Sequence, residues 1–165
     1  EYGTPSGKIE LWSQQLADAG FDPVPVYRRP EMPGPGEFRL LTGRAPVHTF
    51  GRTTNNRVLL EQFPENEVWI NRAAAADLGL ASGDRVMLRN QDGAETGPVA
   101  VKATERIRPD CVYMVHGFGH TARRLRAARG RGGDDSALIT RYATDPLMGG
   151  TGMNVNFITL SKVEV

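Results

Sequence analysis

The run Val115-His116-Gly117-Phe118-Gly119-His120-Thr121-Ala122 holds the densest set of groups able to do chemistry. Gly117-x-Gly119-x-x-Ala122 follows a strand-like segment, and Arg123 to Arg129 can open a helix, so letters and context match a dinucleotide fingerprint. Glycines in such a turn let backbone amides approach a pyrophosphate, and a helix N-terminus favours its negative charge. A Rossmann unit then requires a second parallel strand ending in an acidic residue, whereas this chain runs through Gly130, Gly132 and Gly133 into Asp134-Asp135. What stays open is a different phosphate-contacting loop or a plain structural turn. His116 and His120 stand four apart, but the glycines between them argue against a helical metal face. No Cys, Asp or Glu completes a tetrahedral site, so no metal ligand is expected and the imidazoles are read as hydrogen-bonding groups. Five arginines fall within residues 123–131 with no acid among them. A solvated helix and loop, an anion-facing loop and a docking face for an acidic partner all fit them. Nucleic acid fits poorly, because no aromatic residues interleave to stack bases. Cys111 opens an apolar strand and reads as a buried, inert thiol. No nucleophile elbow, Walker motif or carboxylate pair appears, so no catalytic residue is expected in this chain.

These groups need a frame. The 165 residues carry 20 Lys+Arg against 19 Asp+Glu, a net charge of +1, which speaks against a dedicated nucleic-acid binder. With 39% hydrophobic residues the chain is long enough for one folded core, and a single cysteine excludes a disulfide framework. No apolar run approaches the ~20 residues that span a bilayer. An opening Glu1-Tyr2-Gly3 without Met or an apolar leader suggests a fragment or a processed chain and shows no secretory signal. Residues 1–36 read as a proline-rich lead-in. Ile9 to Leu16 is spaced for one or two helical turns ending near Gly20, and Pro23, Pro25, Pro30, Pro33 and Pro35 then hold the chain extended. From residue 37 the texture becomes short strands divided by turns: Phe38–Thr42, Val68–Ile70, Arg85–Arg89, Val99–Ala103, Cys111–Val115 and Phe157–Leu160. Between the second and third, Asn71 caps a helix over four alanines that Gly79 ends. The expectation is a mainly β fold with short helices, a closed or nearly closed barrel over residues 37–165.

Particular motifs point to a family. Thr4-Pro5-Ser6-Gly7-Lys8-Ile9-Glu10-Leu11 is followed by Asp22-Pro23-Val24-Pro25-Val26-Tyr27, then Leu41-Thr42-Gly43-Arg44 with His48. Trp69-Ile70-Asn71, Leu78-Gly79-Leu80, Gly83-Asp84 and Asp145-Pro146 continue the order. Together they resemble the last domain of molybdopterin-dinucleotide oxidoreductases of the dimethyl sulfoxide reductase superfamily, over essentially the whole chain. The Gly117–His120 loop looks most like the branch of thiosulfate and polysulfide reductase catalytic subunits and arsenic-oxyanion enzymes. The resemblance implies a double-psi β-barrel of six to seven strands that closes over a bis-molybdopterin guanine dinucleotide. It implies molybdenum or tungsten held through dithiolenes, with the protein ligand outside this chain, so Cys111 takes no such role. It also implies the rest of a catalytic subunit, an iron–sulfur electron-transfer subunit and a membrane anchor subunit as partners. No nucleic acid and no direct membrane insertion are expected, and the location implied is the bacterial cell envelope at its periplasmic face or the cytoplasm. The chain departs from many relatives by offering Asp134, Asp135 and Ser136 where they carry an Asn, so no cofactor role is carried onto these three.

Within that frame the cofactor-facing loops are Thr42–Arg52, His116–His120 and Gly149–Asn156. Their candidate contacts are Thr42, Gly43, Arg44, His48, Thr49, Arg52, His116, Gly117, Phe118, Gly119, His120, Asn154 and Asn156. Glycine-punctuated loops admit phosphate or pterin edges, Arg44 suits a phosphate or a pterin carbonyl, and the imidazoles and amides supply directed hydrogen bonds. Asn71 is left out because helix capping explains it. The competing reading is a stand-alone double-psi barrel, a binding or interaction module whose working surface is Arg123–Arg131. Both readings predict an inactive isolated chain. Assayed with reduced viologen and thiosulfate, tetrathionate, polysulfide or arsenate, it is expected to give no turnover above background.

Overall fold

The computed structural model describes residues 2–164; Glu1 and Val165, the outer ends of the two expected segments, lie outside the described residues. The chain forms two compact units, Glu1–Glu31 and Met32–Val165. In the first, helix α1 spans Gln14–Asp18 only, capped by the Ser13 hydroxyl, which accepts from the Leu16 amide at 3.3 Å. The expected helix from Ile9 is therefore corrected. The preceding residues are tied into turns, with the Thr4 hydroxyl donating to the Lys8 carbonyl at 2.6 Å and the Ser6 amide donating to the Glu10 carboxylate at 2.9 Å. Ile9 and Leu11 stay exposed.

The second unit is the barrel. Its strands are β1 (Phe38–Gly43), β2 (Glu67–Asn71), β3 (Arg85–Asn90), β4 (Glu95–Thr104), β5 (Cys111–Val115) and β8 (Phe157–Lys162). They close in the order β1-β5-β2-β4-β3-β8, which bears out the expected barrel of six strands. Two pairs are parallel, β1 with β5 and β2 with β4, and the remaining four are antiparallel. Parallel neighbours cannot be joined by a hairpin, so long connections cross the barrel ends. The interior follows from the two-residue period of a strand. Leu40, Val68, Ile70, Val86, Leu88, Val99, Val101, Val112 and Met114 point inward and pack as one core. Trp69 and Tyr113, alternating with them, meet edge-on outside, with ring centroids 5.4 Å apart. Each fully buried aliphatic side chain stabilises the fold by ~1.5–3 kcal/mol.

Helix α3 (Arg72–Asp77) begins as expected, with the Asn71 side chain accepting from the Ala73 amide at 3.0 Å, and Gly79 follows it at φ +66°. The same Asn71 amide donates to the Ile107 carbonyl at 3.0 Å, so its role is wholly structural. Helix α2 (Arg57–Gln62), equal to α3 in length, was not expected; Asn56 caps it through bonds from Val58 and Leu59. A two-stranded hairpin, β6 (Ala143–Thr144) with β7 (Thr151–Gly152), precedes β8.

Residues 123–130 form turns and no helix, which corrects the helix expected after the glycine motif. The Asn55 side chain accepts from the Ala127 and Ala128 amides, which are thereby withheld from a helical ladder, and Gly130 and Gly132 turn at positive φ. The loop is pinned to the barrel by Asn66, fully buried, which donates to the Val115 and Gly133 carbonyls and accepts from the Gly133 amide. Truncating Asn66 to Ala removes a partner from three backbone groups in a dry site. Urea titration of Asn66→Ala is expected to show a loss of roughly 2–5 kcal/mol of unfolding free energy.

Candidate functional site

The parallel β1·β5 pair aligns Gly43 with Val115, so the loops leaving both strands emerge at one rim. The His116 amide donates to the Gly43 carbonyl at 2.8 Å and extends the ladder by one residue. Beyond that point the loops touch backbone to backbone. A Cβ on Gly117 would stand 2.4 Å from the Gly51 nitrogen, and one on Gly119 would stand 2.3 Å from the Asp134 nitrogen. Both glycines also adopt positive φ, so close chain packing accounts for them.

At this rim lies a cleft of about 520 Å³, whose walls include Thr42, Gly43, Arg44, His116, Tyr142 and Met153. Phe50, a non-glycine residue at φ +50°, also lines it. The Arg44 guanidinium lies 4.3 Å from the centre of the Phe50 ring, a cation–π contact. The His116 ring meets the same phenyl edge-on at 5.7 Å. Behind His116 sits Asp135, with only 1% of its side chain exposed, accepting from Nδ1 at 2.9 Å. That bond fixes the ring's orientation and leaves Nε2 without a protein partner among the described residues. Burial pushes the Asp135 carboxyl above the usual carboxylate range, and the bond from His116 partly offsets the rise. A second cleft of about 370 Å³ follows the loop from His116 through Gly117 and Gly119 to His120 and Thr121. His116 and Ser136 line both clefts.

The expected residues separate into two groups. Thr42, Gly43, Arg44, His116, Gly117, Phe118, Gly119 and His120 line these clefts. His120 is steadied by the Thr54 hydroxyl, 2.9 Å from Nε2. His48 is buried and saturated: Nε2 donates to the Phe63 carbonyl at 2.9 Å, Nδ1 accepts from Thr53, and the ring packs edge-on against Phe63 and Phe118. Asn156, fully buried, donates to the Arg141 and Met153 carbonyls and accepts from the Thr140 and Arg141 amides. Thr49 and Arg52 are exposed and line neither cleft, and neither does Asn154, whose carbonyl accepts from Arg39. From the third loop it is Met153 that reaches the wall.

Sequence reasoning passed over Phe50, Asp135, Ser136 and Tyr142. Asp135, to which the sequence assigns no cofactor role, turns its carboxylate onto His116. Tyr142 follows a clamp in which Asp92 accepts from Arg141 and Thr140, bonds that hold the Asp92 carboxyl down to about 2. At the start of β5, Cys111 is buried and its thiol is pushed up by desolvation and by the Asp110 charge, as an inert core thiol should be. Among the described residues no group of three or more His, Cys, Asp or Glu is arranged to hold a metal. No helix among them is long and apolar enough to cross a membrane.

Residues 38–157 match the family described as "Molydopterin dinucleotide binding domain". The chain belongs to that family. It is 34% identical over 163 residues to the thiosulfate reductase molybdopterin-containing subunit PhsA of Salmonella typhimurium, covering 98% of this chain and 21% of that protein. It is 30% identical over 178 residues to dimethyl sulfoxide reductase DmsA of Escherichia coli, covering 97% of this chain and again 21% of the relative. The chain thus spans about a fifth of the length of the curated relatives it matches. Acetylene hydratase from Pelobacter acetylenicus shares the fold, with a TM-score of 0.70 at 19% identity over 97% of this chain and 24% of that one. The resemblance read from the sequence is borne out at this level: the chain is a molybdopterin dinucleotide-binding domain of the dimethyl sulfoxide reductase family, and its cofactor is molybdopterin guanine dinucleotide.

The His116–Asp135 pair carries a pH signature. Without His116, a carboxyl already raised by burial loses the bond that lowers it, and its folded-state value climbs further above the unfolded one. A raised value means that stability is fully present below the unfolded range and is lost as pH rises. His116→Ala is therefore expected to match the wild type near pH 3 and to fall behind by ~1–3 kcal/mol at neutral pH. Denaturant titrations across that range check it, and Asp135→Asn in the same background should remove the pH dependence.

Proposed function

We propose that the two clefts at the β1·β5 rim, which share His116 and Ser136, receive the pterin and phosphate groups of the cofactor, and that the parent enzyme reduces thiosulfate, polysulfide or a similar oxyanion. The observation that carries the first part is the convergence of Arg44 and His116 on the Phe50 ring beside a glycine-lined loop. The donor set fits the cofactor. Arg44 offers a charged fork for phosphate or a pterin carbonyl, and Thr42 and Ser136 offer hydroxyls. His116 keeps Nε2 for the ligand while Asp135 holds the other nitrogen. The apolar faces of Ile139, Tyr142 and Met153 provide a wall suited to the flat ring system and to the exclusion of water. Asp134, the other carboxylate nearby, accepts from the Ser136 amide at 2.9 Å, which draws its charge into the loop.

When bound, the cofactor supplies two-electron chemistry at molybdenum or tungsten, whose protein ligand lies outside this chain. The residues of the present chain bind and orient it. His116, held by a buried carboxylate, can accept or return a proton at Nε2 beside the cofactor. The thiosulfate reading is supported by the 34% identity to a thiosulfate reductase subunit, against 30% to dimethyl sulfoxide reductase DmsA. The same reading supplies the partners: the rest of the catalytic subunit, an iron–sulfur electron-transfer subunit and a membrane anchor.

In the reconstituted parent enzyme, Arg44→Ala or His116→Ala is expected to lower retained cofactor several-fold at equal folded fraction, read as metal content and pterin fluorescence. Arg126→Ala should leave it unchanged. Equal cofactor in all three variants would put the site on the wrong face. Turnover with thiosulfate or polysulfide above that with dimethyl sulfoxide is the outcome expected for the substrate.

A further inference from the structure

Three arginines outside the cofactor clefts converge on a separate one of about 530 Å³. Arg57 comes from the first turn of α2, and Arg126 and Arg131 come from the glycine-rich loop opposite. The loop is held in place there. The Asn55 side chain accepts from the Ala127 and Ala128 amides at 2.9 and 3.2 Å. Arg131 donates from Nε to the Ala127 carbonyl at 2.8 Å, which fixes the base of its fork and leaves both terminal nitrogens without a protein partner among the described residues. Neither Arg57 nor Arg126 has an ion pair among the described residues, and the same holds for the exposed Arg123, Arg124 and Arg129 along the loop. The cleft's three guanidinium groups outnumber the single carboxylate of Glu61 in its lining, and a surface with an excess of one sign selects a partner of the other.

The lining narrows the kind of anion. Leu60, Pro64 and Ala127 add apolar surface to the lining beside the three arginines. No aromatic residue lines it, so a base would have nothing to stack on. Glu61 stands in the wall, and a continuous phosphodiester charge passing over it would be repelled. Separate carboxylates can straddle Glu61, each meeting a planar guanidinium fork in the paired geometry that arginine favours.

We propose that this cleft is a docking surface for an acidic polypeptide segment in which carboxylates flank an aliphatic side chain. The inference goes beyond the cofactor reading and does not depend on it. A fluorescein-labelled Glu-Glu-Leu-Glu-Glu peptide, titrated with the purified chain and followed by anisotropy, tests it. Saturable binding that weakens with added salt is expected. Arg126→Glu and Arg57→Glu, exposed positions on different elements, should each weaken binding by about tenfold. Glu61→Gln should tighten it roughly threefold by removing the one carboxylate in the wall. Arg72→Glu, on α3 and outside the cleft, should bind as the wild type does. Absence of saturable binding, unchanged affinity in both cleft variants, or tighter binding of single-stranded oligothymidine than of the peptide would each overturn the proposal.

Discussion

Parallel pairing of β1 with β5 is the constraint from which the rim follows. Two strands that run side by side in the same direction must release their chains at the same end, and the in-register match of Gly43 with Val115 leaves no stagger between them. Arg44 and His116 are seventy-odd residues apart in sequence yet leave adjacent rungs. Phe50 then enters between them, with Arg44 over its face and His116 against its edge. An antiparallel β1·β5 pair would send the two loops to opposite ends of the barrel, and the same residues would form no common wall.

The frame was legible because it rests on local rules. Alternation in Val99–Ala103 announces a strand with one buried face, turn residues bound the other short strands, and Asn71 and Gly79 announce the start and stop of α3. The site was legible in part. Thr42, Gly43, Arg44 and the His116–His120 loop, expected because they directly follow strand ends, line the clefts. What escaped depended on contacts far apart in sequence. His48 looks like a ligand group until Phe63, Phe118 and Thr53 are brought around it. Asn156 looks like a pterin contact until residues 140, 141 and 153 take up its amide. Asp135 is buried, and its carboxylate accepts from His116, a pairing that local sequence rules do not reveal. The loop arginines resemble a helix by composition, but the Asn55 side chain takes the amides that a helix would have used.

Buried asparagines recur wherever a long connection must be fastened to the barrel. Asn66 ties residue 133 to the end of β5, Asn90 donates to the Leu138 carbonyl and the Thr140 hydroxyl, and Asn156 holds residues 140–141 against 153. An amide is suited to this task, because it both donates and accepts within one plane and so satisfies backbone groups of either kind in a dry setting. The loops that carry the candidate site thereby hold a fixed position without regular secondary structure of their own.

The contact of Gly117 with the Phe50–Gly51 backbone has a bearing on how tolerance to substitution should be interpreted. A methyl group at residue 117 would stand 2.4 Å from the Gly51 nitrogen and 2.5 Å from the Phe50 carbonyl carbon, so the main chain would have to shift. Intolerance there would be a matter of molecular abundance before it was a matter of ligand affinity. A saturation library selected only for the amount of folded protein would deplete substitutions at Gly117 and Gly119 as sharply as one selected for turnover. Arg44, exposed and resting on an aromatic face, would be lost only from the second library. The glycine signature thus carries information about chain clearance, which the exposed arginine beside it does not.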